Sequence, residues 1–85
     1  MKQRHRRIFT KIFGIREGDL VRVNGEELFT WEDHPVFVEG VRNELGRVRL
    51  ILFVNSEPYY IVYLLDRGVE VLVSEQQVEL EEEEK

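Results

Sequence analysis

The stretch Arg47-Val48-Arg49-Leu50-Ile51-Leu52-Phe53-Val54, then Asn55-Ser56-Glu57-Pro58, then Tyr59-Tyr60-Ile61-Val62-Tyr63-Leu64-Leu65, decides the fold. Two runs of aliphatic and aromatic residues flank a four-residue cluster of turn formers, the pattern of an antiparallel hairpin. Alternation puts Val48, Leu50, Leu52 and Val54 on one face of the first run, and Arg47, Arg49, Ile51 and Phe53 on the other. On the return run Tyr60, Val62 and Leu64 share a face, with Tyr59, Ile61, Tyr63 and Leu65 opposite. Turning Tyr60, Val62 and Leu64 inward leaves Ile51, Phe53, Tyr59 and Tyr63 as an outer apolar strip, larger than a solvated face ordinarily carries.

The period of two continues on both sides of the hairpin. Upstream, Gly18-Asp19 opens Leu20-Val21-Arg22-Val23, Asn24-Gly25 reads as a hairpin turn, and residues 26–31 read as its second arm. Residues 32–35 read as a loop in which Pro35 holds His34 extended. Val36-Phe37-Val38 reads as a short strand ending at Gly40, and Gly46 as the next turn. Downstream, Asp66-Arg67-Gly68 turns into Val69-Glu70-Val71-Leu72-Val73. Residues 74–77 form one helical turn capped by Ser74, and Val78-Glu79-Leu80 closes as a last strand. Five or six short strands spaced by turns predict an all-β domain, a small antiparallel barrel. Its expected core is Val21, Val23, Val48, Leu50, Leu52, Val62, Leu64, Val71 and Val73.

Ahead of Gly18 the period changes. Ile8, Phe9, Ile12, Phe13 and Ile15 recur at helical spacing, and Gly14 offers a stop, so residues 4–15 predict a short amphipathic helix. At about 12 residues it is marginal alone and must dock its apolar stripe on something. Residues 1–16 carry six cations and no acid. Residues 17–85 hold the other six bases and all 17 acids, and five of those acids fall in the last seven residues. The 85 residues therefore divide into a basic helical arm (1–16), a barrel (17–80) and a solvated acidic tail (81–85), with a net charge of −5.

The order Gly18-Asp19-Leu20-Val21-Arg22-Val23, a long loop, Gly46-Arg47-Val48, a tight turn, Tyr60-Ile61-Val62-Tyr63, Asp66-Arg67-Gly68, one helical turn and a closing strand resembles the SH3-like barrel superfamily. Within it, the pattern over residues 18–80 is similar to KOW, Tudor and ferredoxin–thioredoxin reductase variable-chain barrels. The resemblance implies a binding module for nucleic acid, peptides or larger protein subunits, without naming a ligand.

Chemistry-bearing residues are sparse. With no cysteine there is no disulfide, thiol nucleophile or zinc knuckle. Glu32, Asp33 and His34 are adjacent on an extended loop and point apart, so no metal site is expected there. His5 and His34 are the only histidines, the glycines are singly spaced, and no nucleophile elbow is present. Neither enzyme activity nor a cofactor is expected. No apolar run spans a bilayer, Lys11 interrupts the early apolar stretch, and one short helix attaches to a membrane only weakly; a cytoplasmic domain is expected.

Two functions follow from the charge and apolar layout. The first is protein–protein interaction or self-association through Ile51, Phe53, Tyr59 and Tyr63 and the N-terminal helix. The strip is then covered by the helix of the same chain, through Ile8, Ile12 and Phe13, or by a second copy. The second is nucleic-acid or ribonucleoprotein binding, with Lys2, Arg4, Arg6, Arg7 and Lys11 as phosphate contacts. The acidic remainder opposes phosphate and favours the first.

Overall fold

A computed structural model describes residues 14–81. It holds five strands: β1 (Leu20–Thr30), β2 (Phe37–Val54), β3 (Glu57–Leu64), β4 (Val69–Ser74) and β5 (Val78–Leu80). All pairings are antiparallel within one sheet of order β2-β3-β4-β1-β5, and β1 also pairs with β2. The all-β expectation holds. No α-helix occurs among the described residues; a 3-10 turn, Glu75–Gln77, lies between β4 and β5 where one helical turn was expected. There the Ser74 N–H donates to Gln77 Oε1 at 3.0 Å. The expected N-terminal helix falls outside the described residues save for its end, where Gly14 is left-handed at φ 88°.

Strand β1 joins the two halves of the sheet. Its first half pairs with β2 and β5, through Val21↔Gly46 and Val21↔Leu80, and its end meets both Phe37 of β2 and Leu72 of β4 at Phe29. The expected acidic tail falls outside the described residues save for Glu81. The Glu81 N–H donates to Leu20 O at 2.9 Å, and its carboxylate lies 3.1 Å from Arg22, so Glu81 continues the β5 edge.

Two expected turns are straight-through strand. Asn24-Gly25 lies inside β1 at a register shift, and residues 26–30 continue that strand instead of returning. Here Gly25 is required for space and not for a turn: a Cβ would fall 2.4 Å from Leu28 Cδ2. Asn24 Oδ1 accepts the N–H of Asn43, itself at φ 52°, so the irregularities of the two strands are tied together. Likewise Gly40 and Gly46 lie inside the 18-residue β2. Gly40 bends it at φ 64°, whereas Gly46 lets β3 approach, since a Cβ there would meet Val62 Cγ1 at 2.4 Å. The expected four-residue turn after β2 is a two-residue one. Asn55 and Ser56 both have positive φ, which matches the twist of tight hairpins, and Glu57 and Pro58 join β3.

The consequential departure is a β-bulge in β2. Val48 pairs with Val62, but the next pair is Leu50↔Ile61, so Arg49 is the extra residue. One inserted residue reverses the facing of everything beyond it. Ile51 therefore lies opposite Tyr60 and packs on the core, whereas Leu50 is 39% exposed and Leu52 half-buried on the outer side. Leu50 and Leu52 are thus corrected out of the expected core. The other seven expected residues are buried in one cluster with Leu28, Val41, Tyr60 and Val78.

Candidate functional site

The bulge builds a continuous apolar row on the outer face. Following the register from strand to strand, Phe37 pairs with Phe29, Phe29 with Leu72, Leu72 with Ile61, and Ile61 with Leu50. These five side chains cross β2, β1, β4, β3 and return to β2 beyond its bulge. The burial along the row is uneven. Ile61 at the centre is 1% exposed, yet it stands outside the core cluster. Phe29 and Phe37 at one end are 49% and 53% exposed, with their rings stacked at 4.4 Å between centroids and 26° between planes. Such aromatic pairs contribute about 0.5–1.5 kcal/mol beyond their burial.

Tyr59 flanks the row on one side, opposite Leu52, and Tyr63 flanks it on the other, opposite Arg47 and Glu70. Beside Tyr63 lies a cleft of about 250 Å³ lined by Trp31, Glu32, Arg49, Tyr63 and Glu70, among others. The Trp31 backbone N–H donates to Glu70 O at 2.8 Å, which fixes the chain beside the cleft, and Glu32 accepts the Thr30 hydroxyl at 2.8 Å. Arg49, pushed to this side by the bulge, sets its guanidinium 6.0 Å from the Tyr63 centroid and 3.6 Å from Glu70. An arginine of the chain already uses the cleft's aromatic face and carboxylate together, which is how such a site holds a cation.

Of the expected strip, the structure unites Tyr59 and Tyr63 with Ile61 between them. Ile51 is removed to the core side by the bulge, and Phe53 pairs with Pro58 on that same side, exposed at the hairpin end. Tyr60 is buried as expected, and burial, with Glu75 as the lesser cause, pushes its phenol above the ordinary range. Lys2, Arg4, Arg6, Arg7 and Lys11 lie outside the described residues. Sequence reasoning missed the Phe29–Phe37 pair, because reading Asn24-Gly25 as a turn placed Phe29 on a separate arm.

Electrostatically the described body is acidic, with six arginines against 14 acidic residues, a net −8. Its arginines are engaged. Arg67 makes a forked contact with Glu44, at 3.0 Å from Nε to Oε1 and 2.7 Å from Nη2 to Oε2, which holds its guanidinium above the ordinary range. Arg22 meets Glu81 and Asn43 O, Arg42 meets Glu26, Arg47 donates to Gly18 O, Arg49 meets Glu70, and Arg16 has a contact of its own. Among the described residues no three His, Asp or Glu side chains converge on a metal position, and no helix is long and apolar enough to cross a membrane. No protein-family model, curated protein or solved structure matches the chain.

Proposed function

We propose that the chain is a non-catalytic binding module of the SH3-like barrel class, working in protein–protein interaction or assembly through its outer apolar face. The circuit of pairings β1–β2–β3–β4 and back to β1, with the 3-10 turn before a short closing strand, supports the barrel reading. The observation that carries the function is the row from Phe37 to Leu50, whose Phe29–Phe37 end stays half exposed beside Trp31. Large aromatic side chains grouped at a sheet corner fit the buried anchor of an interface. The acidic surround and the Trp31–Tyr63–Glu70 cleft select the partner's chemistry: an apolar segment flanked by arginine or lysine.

The engaged arginines and net −8 of the body disfavour phosphate. Selection of peptides from a random library against the full chain tests the reading. Peptides combining aromatic or aliphatic anchors with Arg or Lys are expected, with binding lost in a Phe29→Ser/Phe37→Ser variant and weakened by Glu70→Gln. Peptides indifferent to both changes, or tight oligonucleotide binding with a log–log salt slope of about −4, would overturn it.

A further inference from the structure

We infer that Arg49 is a displaceable internal occupant of the cleft beside Tyr63, and that the cleft takes the guanidinium of a partner's arginine in its place. The inference rests on the reading of the outer face as a binding surface and names the group received at that cleft.

The bulge makes Arg49 available for this role. The register between β2 and β3 steps over it, and a bulge re-aims the side chain it carries. Here it sets a guanidinium over Tyr63, 6.0 Å from the ring centroid, with Glu70 at 3.6 Å. Arg49 therefore marks where a planar cation rests in this cleft, between an aromatic face and a carboxylate.

The same chain shows what a fixed arginine–glutamate pair looks like. Arg67 grips Glu44 through its fork, at 3.0 Å and 2.7 Å, with the Arg67 side chain 34% exposed. The 3.6 Å between Arg49 and Glu70 exceeds hydrogen-bond range, and the Arg49 side chain is 57% exposed. Its distance from the Tyr63 centroid is also at the outer limit of a cation–π contact. Arg67 is locked in place, whereas Arg49 rests in the cleft and is free to leave it.

The cleft offers more than Arg49 uses. It encloses about 250 Å³, and its lining sets two carboxylates, Glu32 and Glu70, against the one guanidinium. Glu32 already accepts the Thr30 hydroxyl, which leaves Glu70 for an incoming fork. Trp31, half exposed in the same lining, supplies a second ring. A guanidinium suits this set better than an ammonium, because it stacks flat on a ring while its fork meets both oxygens of a carboxylate. The body's net −8 draws such a cation in and repels anions.

Ethylguanidinium is the probe and ethylammonium its comparison, each titrated into the full chain at constant ionic strength. Fluorescence of Trp31, the only tryptophan, and the Arg49 Nε–H signal in nitrogen-15 spectra read the two sides of the exchange. Ethylguanidinium should move both signals in the native chain, and ethylammonium should bind more weakly. Arg49→Met should tighten ethylguanidinium binding about fivefold, the factor by which a weak exposed pair and a cation–π contact compete with it. Arg42→Met removes the same charge from the exposed pair with Glu26 and should leave the affinity unchanged. Glu70→Gln should abolish binding, and circular dichroism confirms that each variant is folded. The inference is overturned by no response to ethylguanidinium, by equal affinity in the native chain and Arg49→Met, or by equal affinity for the two cations. A Trp31 response that leaves the Arg49 signal unmoved overturns it as well. None of these outcomes touches peptide binding at Phe29 and Phe37. Conversely, a Phe29→Ser/Phe37→Ser chain that loses its peptides and keeps ethylguanidinium supports the inference, so the two readings fail separately.

Discussion

Replacing Leu50 and Leu64 separately by Ala reads the bulge in free energy. Both leucines sit in strands with strong alternation, and straight alternation along residues 47–54 and 59–65 puts both in the core. In the structure only Leu64 is there, at 0% exposure, whereas Leu50 is 39% exposed on the other face. A Leu→Ala change removes about three methylene equivalents, each worth about 0.8 kcal/mol when fully buried. Leu64→Ala pays that in full and opens a closed cavity, for a cost of about 2–5 kcal/mol. Leu50 realises a little over half of the transfer, about 1.5 kcal/mol, and leaves a dent open to solvent in place of a cavity. Since an 85-residue domain is stable by about 4–13 kcal/mol, Leu64→Ala should lower Tm by about 8 °C or more and Leu50→Ala by clearly less. Urea titration followed by the fluorescence of Trp31, the only tryptophan, measures both. A Leu50→Ala cost equal to or above that of Leu64→Ala refutes the placement of the bulge at Arg49.

Four further outcomes are expected. Ser56→Gly should stabilise the chain by about 1 kcal/mol in the same titration, because Ser56 is held at φ 68° in the two-residue turn, a conformation glycine adopts without strain. Gly46→Ala should destabilise it by about 1–3 kcal/mol, since the new methyl would lie 2.4 Å from Val62 Cγ1 and 2.8 Å from Tyr63 O in a close-packed ladder. Tyr60 is held above its ordinary pKa by burial, so the folded state keeps a proton that the unfolded chain loses first. Its contribution is intact below the ordinary tyrosine range and is lost as pH rises through the raised value, so the urea midpoint should fall more steeply above pH ~10 than in Tyr60→Phe. Finally, Arg67→Ala frees the turn after β3 from Glu44 and Gly40 O, and amide exchange should accelerate around Gly40 and Gly68 while the β1–β5 ladder is unchanged.

The fold class was legible because its determinants are local. The valines of residues 20–23, 48, 62 and 71–73 alternate cleanly, and Asp66-Arg67-Gly68 and Ser74 punctuate where they should. What misled was chemistry with two uses. Glycine marks turns by tolerating positive φ, yet Gly25 and Gly46 are required by close approach of Leu28 and Val62, a demand that exists only once the chain has folded. The bulge leaves no trace in residues 47–54 themselves: Arg49 sits in the alternation without interruption, and only the pairing with β3 shows that it is extra. The facing of half of the expected strip followed that error, since Tyr59 and Tyr63 lie on β3, which carries no extra residue and keeps its alternation, whereas Ile51 and Phe53 lie beyond the bulge on β2. Phe29, Trp31 and Phe37 were visible as aromatics, but their meeting depends on β1 running unbroken past Asn24.

Contacts among the methyl and ring protons of the outer face report on the bulge and the row together. In nuclear Overhauser spectra of the full chain, the row predicts an unbroken series: Leu50 methyls to Ile61, Ile61 to Leu72, Leu72 to the Phe29 ring, and Phe29 to the Phe37 ring. Ile51 should meet Tyr60 in the same spectra. Contacts from Leu50 to the Val48 and Val62 side of the core, with Ile51 joined instead to Tyr59 and Tyr63, would contradict this arrangement, because β2 would then run without its bulge and the face would lose its row.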